Sequence, residues 1–202
     1  MAERNDSRSQ GDARMITVIE TGNVGSVVRA FEALGVQCTV TRDPTVVQNA
    51  ERLVLPGVGI FGDLMEQIAP LKEALIEFIT AGRPFLGICV GLQVLFEESD
   101  ESPGVAGLCI CKGNVRKFTK GKVPQIGWNT LTTKDVHLDN KSYVYFVNSY
   151  YVEPKEDITV ATTDYNGEFV SAIRKDNVFA VQFHPEKSGG VGLRILERWL
   201  EC

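Results

Sequence analysis

Two positions in this chain carry a specific chemical suggestion. One is a cysteine, Cys89, framed by glycines in Gly87-Ile88-Cys89-Val90-Gly91. The other is a histidine, His184, in Gln182-Phe183-His184-Pro185-Glu186. A cysteine attacks a carbonyl carbon as its thiolate, and an imidazole within hydrogen-bond reach can take up and return the proton. A carboxylate behind the imidazole fixes the tautomer and steadies the positive charge. Glu186 has the spacing for that task, because residues two apart on an extended segment point to the same side. The one other histidine, His137, stands in the polar stretch from Thr132 to Asp139 and reads as a solvated loop residue.

Such a pair needs elements that bring positions 89 and 184 together. Pro84 to Ile88 is a short apolar run that reads as a buried strand, and Val90 to Phe96 reads as the helix after it. Glycines on both sides of the cysteine suit a sharp strand-to-helix turn in which bulky side chains would collide. The thiol then stands at the carboxyl end of a sheet beside a helix N-terminus, whose partial positive charge favours thiolate.

Upstream, Ile16 to Ile19 reads as a strand, followed by a helix with Val24, Val27, Val28, Phe31 and Leu34 at helical spacing and Gly35 as its stop. Gln37 to Thr41 is the expected second strand, Asp43-Pro44 a helix cap and first position, and Arg52 to Leu55 the third strand. Leu64, Ile68, Leu71, Leu75, Phe78 and Ile79 form one apolar face, with Pro70 dividing two helical pieces. This alternation predicts a parallel sheet with right-handed crossovers.

From Gly113 the texture turns β-rich, over Val115 to Phe118, Tyr143 to Val147, Ile158 to Thr162, Phe169 to Ile173 and Val178 to Phe183. Asn166-Gly167 and Asp176-Asn177 supply hairpin turns. A helix over about Val191 to Trp199 closes the chain. The fold class predicted is therefore α/β: an open, mostly parallel sheet flanked by helices, with an antiparallel β extension. Ligands collect at the carboxyl ends of strands in such sheets, where the loops at Gly57, Cys89 and His184 all fall.

Composition narrows the function classes. Of 202 residues 44% are hydrophobic and 23% charged, which suits one globular domain with a full core. A net charge of −5 argues against a general nucleic-acid surface. The uncharged run from Pro84 to Phe96 is shorter than the roughly 20 residues of a membrane span. Five cysteines without framework spacing point to a reducing compartment. Cys109-Ile110-Cys111 lacks a second ligand pair, so no metal is expected, and on a strand both thiols would share one face. Met1 to Arg14 is polar, has no apolar core of a secretory signal, and reads as a disordered tail, with Met15 as an alternative start.

Gly87-Ile88-Cys89-Val90-Gly91-Leu92-Gln93 and Gln182-Phe183-His184-Pro185-Glu186-Lys187-Ser188 resemble the nucleophile elbow and the histidine-glutamate motif of class I (triad) glutamine amidotransferases. Leu55-Pro56-Gly57-Val58-Gly59, Val123-Pro124-Gln125-Ile126-Gly127-Trp128-Asn129 and Phe146-Val147-Asn148-Ser149-Tyr150-Tyr151 narrow the resemblance to glutaminase subunits of imidazole glycerol phosphate synthases. It runs from Val18 to the last helix and makes residues 15–202 one amidotransferase domain, with a flavodoxin-like sheet.

The resemblance implies that Cys89, His184 and Glu186 hydrolyse the side-chain amide of glutamine. Gly57, Val58 and Val90 would form the oxyanion hole. Gln93, Ser149 and Tyr150 would hold glutamine, while Gln125, Trp128 and Asn129 would face a (β/α)8-barrel synthase in a cytoplasmic heterodimer. Ammonia would pass to that partner, which makes imidazole glycerol phosphate and an aminoimidazole carboxamide ribotide in histidine biosynthesis. No cofactor, metal, nucleic acid or membrane is implied. Gly57-Val58-Gly59 is too short for a phosphate loop, which agrees with the phosphorylated substrate belonging to the partner.

Three features depart from the pattern. The family usually has histidines where Gln125 and Asn148 stand, and an Asp-Tyr-Gly sequence leading into Gly-Asn where this chain reads Glu20-Thr21-Gly22-Asn23. These departures leave open a glutaminase subunit of another amidotransferase, such as one in aminated sugar synthesis. A non-catalytic regulatory subunit of the same fold and a γ-glutamyl peptide hydrolase are further alternatives.

Overall fold

A computed structural model describes residues 15–202, so the expected tail over 1–14 lies outside the described residues. Strand β1 (Met15–Ile19) leads into α1 (Gly25–Glu32), β2 (Gln37–Thr41), α2 (Pro44–Gln48) and β3 (Leu53–Gly57). Next come α3 (Phe61–Ile68), α4 (Lys72–Thr80), β4 (Phe85–Cys89) and α5 (Val90–Gln93). The β-rich half holds β5 (Glu98–Ser99), β6 (Gly113–Lys117), β7 (Gln125–Thr130), β8 (Thr132–Thr133) and β9 (Tyr143–Asn148). It continues through β10 (Tyr150–Pro154), β11 (Thr159–Asp164), β12 (Glu168–Lys175) and β13 (Val178–Val181), and α6 (Gly189–Leu200) ends the chain.

The sheet order β2-β1-β3-β4-β13-β12-β10-β6-β5 joins a parallel half to an antiparallel extension, with β11 and β8 branching from β12. Every residue of β3, β4 and β13 is buried, as expected of central parallel strands covered on both faces. In α1 the buried positions Val27, Ala30 and Phe31 follow helical spacing, and Phe31 meets Trp199 of α6 edge-on at 5.8 Å. Asp43 caps α2 by accepting from the Thr45 N–H at 2.8 Å, with Pro44 at the first helical position. Pro70 falls in a 3-10 turn over Ala69–Leu71 that separates α3 from α4. Asn166-Gly167 and Asp176-Asn177 turn the chain between β11, β12 and β13, with Asn166, Gly167 and Asp176 at positive φ.

The register places the site. Gly57 at the end of β3 lies opposite Cys89 at the end of β4, and Ile88 lies opposite Val181 of β13. The loops after β3, β4 and β13 therefore open side by side.

Two expectations are corrected. The helix after Cys89 stops at Gln93 rather than Phe96, because the carbonyls of Val94 and Leu95 accept from Leu108, Ile110 and Cys111 instead of continuing a helix. Cys109 and Cys111 do not lie on a strand: Cys109 has φ 56 and is exposed while Cys111 is buried, so the two thiols diverge. The strands β5, β7, β8 and β10 are not distinguishable by apolar pattern, β5 and β8 being only two residues long.

Candidate active site

Cys89 has φ 55 and ψ −111, a left-handed backbone that costs a non-glycine residue about 1–3 kcal/mol. Close packing around it holds that geometry. A Cβ on Gly91 would collide with the Leu55 carbonyl oxygen, and one on Gly87 would come within 2.7 Å of the Gly91 oxygen. The single turn of α5 can thus press against β3 and β4. Because it is one turn, the electropositive field at Cys89 comes from a few unpaired N–H groups rather than from a long helix dipole.

His184 follows β13, and its ring is anchored from behind. Its backbone N–H donates to the Tyr145 carbonyl at 2.9 Å, and the Ser188 hydroxyl donates to the His184 carbonyl at 2.6 Å. Nδ1 of His184 stands 2.8 Å from Glu186 Oε1, with both side chains buried. The pair arises from a 3-10 turn over Pro185–Lys187, not from the extended segment that the spacing suggested. Burial opposes charge on the ring. Hydrogen bonds and charge from Cys89 and Glu186 outweigh it, so the His184 pKa is raised from 6.5 to about 10.

Two buried amides continue the network. Gln93 Nε2 donates to the Tyr150 carbonyl at 3.2 Å and to Gln182 Oε1 at 3.0 Å, and Gln182 Nε2 points at Cys89 Sγ from 3.6 Å. The carbonyl oxygen of Gln93 is left as the atom that can meet a ligand.

A cavity of about 420 Å³ opens over the thiol. Cys89 and His184 line it together with Val58, Gly59, Val90, Gln93, Asn148, Ser149 and Tyr150. It is large enough for an amino acid of glutamine's size. Gly57 lies beneath it, where a Cβ would stand 2.6 Å from the Gly91 nitrogen.

Glu101 and Lys187 also line the cavity, and sequence reasoning did not single them out. Lys187 directly follows Glu186 in the histidine motif. Glu101 belongs to an acidic surface-like run, and only the fold carries it to the pocket. Its carboxylate accepts from the Phe61 N–H at 2.8 Å, and burial raises its pKa against that bond.

The residues expected at a partner interface separate. Gln125 of β7 is buried, with its Oε1 unpaired, directly opposite Asn148 of β9, whose Oδ1 is likewise unpaired. The Asn129 amide donates to the Asp164 carbonyl at 2.9 Å. Trp128 is 55% exposed and shares its face with Ile126, Tyr143 and Val147, at 62%, 60% and 36%. His137 is not freely solvated as expected: its ring lies 3.1 Å from Asp135, which also pairs with Arg174, and it is not among the residues that line this cavity. Among the described residues no cluster of metal ligands occurs, and no helix is long and apolar enough to cross a membrane.

The family profile "Glutamine amidotransferase class-I" matches residues 17–201. The chain belongs to the class I glutamine amidotransferases. This amidotransferase is 47% identical over 195 residues to "Imidazole glycerol phosphate synthase subunit HisH" of Thermococcus kodakarensis, covering 92% of this chain and 98% of that protein. It is 48% identical over 194 residues to the protein of the same name from Methanothermobacter thermautotrophicus, covering 93% and 98%. Among solved structures it resembles a "Crystal structure of glutamine amidotransferase" with a TM-score of 0.76 at 17% identity, covering 92% of this chain and 97% of the other. It also resembles "Structure of PurLQS from Thermotoga maritima" at 0.73 and 17%, covering 94% and 98%. These structural likenesses bear on the amidotransferase fold, an open sheet with flanking helices, as the sequence predicted.

Proposed function

We propose that this amidotransferase is the glutaminase subunit of an imidazole glycerol phosphate synthase, cleaving glutamine to glutamate and passing ammonia to a (β/α)8-barrel synthase in histidine biosynthesis. The observation that carries the reading is the near-full-length likeness to the two subunits named above, at 47% and 48% identity. The Cys89, His184 and Glu186 geometry supports the chemistry.

In this mechanism the Cys89 sulfur attacks the carboxamide carbon of glutamine. The carbonyl oxygen gains negative charge and is met by the backbone N–H groups of Val58 and Val90; one such donor is worth about 3 kcal/mol in the transition state. His184, held protonated by its neighbours, gives its proton to the departing nitrogen, and ammonia leaves a γ-glutamyl thioester on Cys89. His184 then takes a proton from water as the oxygen attacks the thioester. Glutamate departs, and the sulfur and the imidazolium are restored. Glu186 keeps Nδ1 of the ring as a donor, so that Nε2 faces the sulfur.

Glutamine enters as a zwitterion, and the pocket offers a match. The Glu101 carboxylate receives its ammonium group, Lys187 supplies positive charge for its carboxylate, and Gln93, Ser149 and Tyr150 complete the contacts. Ammonia released into water becomes protonated and loses its nucleophilicity, which favours delivery through a partner. The exposed apolar face of Ile126, Trp128 and Val147 adjoins the pocket through Val147 and suits that partner. Both subunits are assigned to the cytoplasm.

The test is glutamate release by the purified chain, alone and after adding a histidine-pathway synthase barrel with a substrate analogue. Strong stimulation is expected. Absence of stimulation, with Cys89 still labelled by a glutamine-like electrophile, would assign the subunit to another amidotransferase.

A further inference from the structure

Gln182 stands at the end of β13, fully buried, and the mechanism above leaves it without a part. The polarity of its amide is set by a backbone atom two steps along the hydrogen-bond chain. The Tyr150 carbonyl can only accept, so it fixes Gln93 with Nε2 toward it at 3.2 Å. The same Nε2 donates to Gln182 Oε1 at 3.0 Å. With its oxygen engaged there, Gln182 must turn Nε2 the other way, and what it meets is Cys89 Sγ at 3.6 Å, hydrogen-bond distance for a sulfur acceptor.

We infer that Gln182 is a catalytic donor to the Cys89 sulfur, favouring the thiolate before attack and receiving it as the leaving group when the thioester is hydrolysed. Its proton stays on the amide throughout, so no atom or charge is transferred and the balance of the reaction is unchanged. Unlike His184 it does not titrate, and its support for the thiolate is independent of pH. The relay also ties the nucleophile to the pocket, because Gln93, which offers its carbonyl oxygen to glutamine, is the residue that orients Gln182. The inference rests on the reading of Cys89 as the nucleophile.

The experiment follows alkylation of Cys89 by iodoacetamide across pH in the full chain and in Gln182→Met and Gln182→Asn, each checked for folding by thermal unfolding. Because Cys109 and Cys202 are exposed and compete for the reagent, labelling is read at each cysteine by peptide mass spectrometry. Loss of one hydrogen bond to a charged sulfur predicts labelling about tenfold slower at pH 7 in both variants. The gap between the variant and parent rates should close as pH rises. A purely structural role would instead alter the rate at both extremes. Folded variants that label at the parent rate at pH 7 would overturn the inference. Should Gln182→Met fail to fold, Gln182→Asn, which keeps an amide but is one methylene too short to bring it to the sulfur, decides alone. If Cys89 of the parent chain labels no faster than Cys109 at pH 7, the nucleophile reading fails and the role of Gln182 falls with it.

Discussion

The two walls of the pocket are built differently. On the nucleophile wall, backbone strain at Cys89 is locked by glycine contacts, His184 is bonded at its ring and both backbone groups, and Gln182 and Gln93 pair their amides. The other wall is backed by a two-stranded sheet, β7 with β9, which reaches the pocket through Val147 and Asn148, shows Ile126, Trp128, Tyr143 and Val147 outward and holds two unpaired amide oxygens, of Gln125 and Asn148, inward. An unpaired buried oxygen costs about 1–3 kcal/mol. The contrast sets a preorganised nucleophile beside an exposed apolar face, which the proposed partner would cover.

The largest effect that can break this comparison is at the nucleophile itself. Cys89→Ala should lower glutamine-dependent synthesis by about 10⁴-fold or more while ammonia-dependent synthesis by the partner survives. Loss of both activities in a coupled assay would contradict the division of labour.

Glu186→Gln comes next, with an expected loss of about 10²-fold or more in kcat. Its signature lies in pH. With the His184 pKa raised from 6.5 to about 10, the stability this group contributes is full below about 6.5 and is lost as pH rises through about 10. Removing the Glu186 charge lowers that upper bound, so the alkaline fall in kcat should move to lower pH. An unmoved alkaline limb would detach Glu186 from the ring's charge.

On the other wall, Trp128→Ala should weaken association with the synthase by about 2 kcal/mol, as for an exposed aromatic anchor, with little change in the unfolding midpoint in urea. Unaltered affinity by calorimetry would remove Trp128 from the interface. The smallest effect is at Gln125. Replacing it with Met removes the unpaired oxygen, so the free chain should keep its stability or gain about 1 kcal/mol. A loss of several kcal/mol would mean that the amide is satisfied and the wall is complete.

Much of the nucleophile wall was legible because its signals are local. Glycines flanking Cys89, a carboxylate two residues after His184 and apolar runs of strand length reveal elbow, pair and parallel strands. What stayed hidden depends on contacts distant in sequence. The chain segment Gly107 to Cys111 captures the carbonyls that would have extended the helix beyond Gln93. Glu101 reaches the pocket through its bond to Phe61, forty positions away. Gln125 looked like a surface residue beside Trp128, but alternation along β7 turns it inward while Trp128 faces out. Gln182 sat inside a recognised motif, and only its partners reveal the orientation of its amide.

The contrast between the walls is tested most directly by following two rates in the same samples, without and with the synthase barrel: labelling of Cys89 by a small haloacetamide, and hydrolysis of glutamine. A preorganised nucleophile beside an unfinished partner wall predicts that labelling changes little on assembly while glutamine hydrolysis rises strongly. Thiol reactivity rising in step with turnover would show that the nucleophile wall itself is assembled by the partner, and the account would fail.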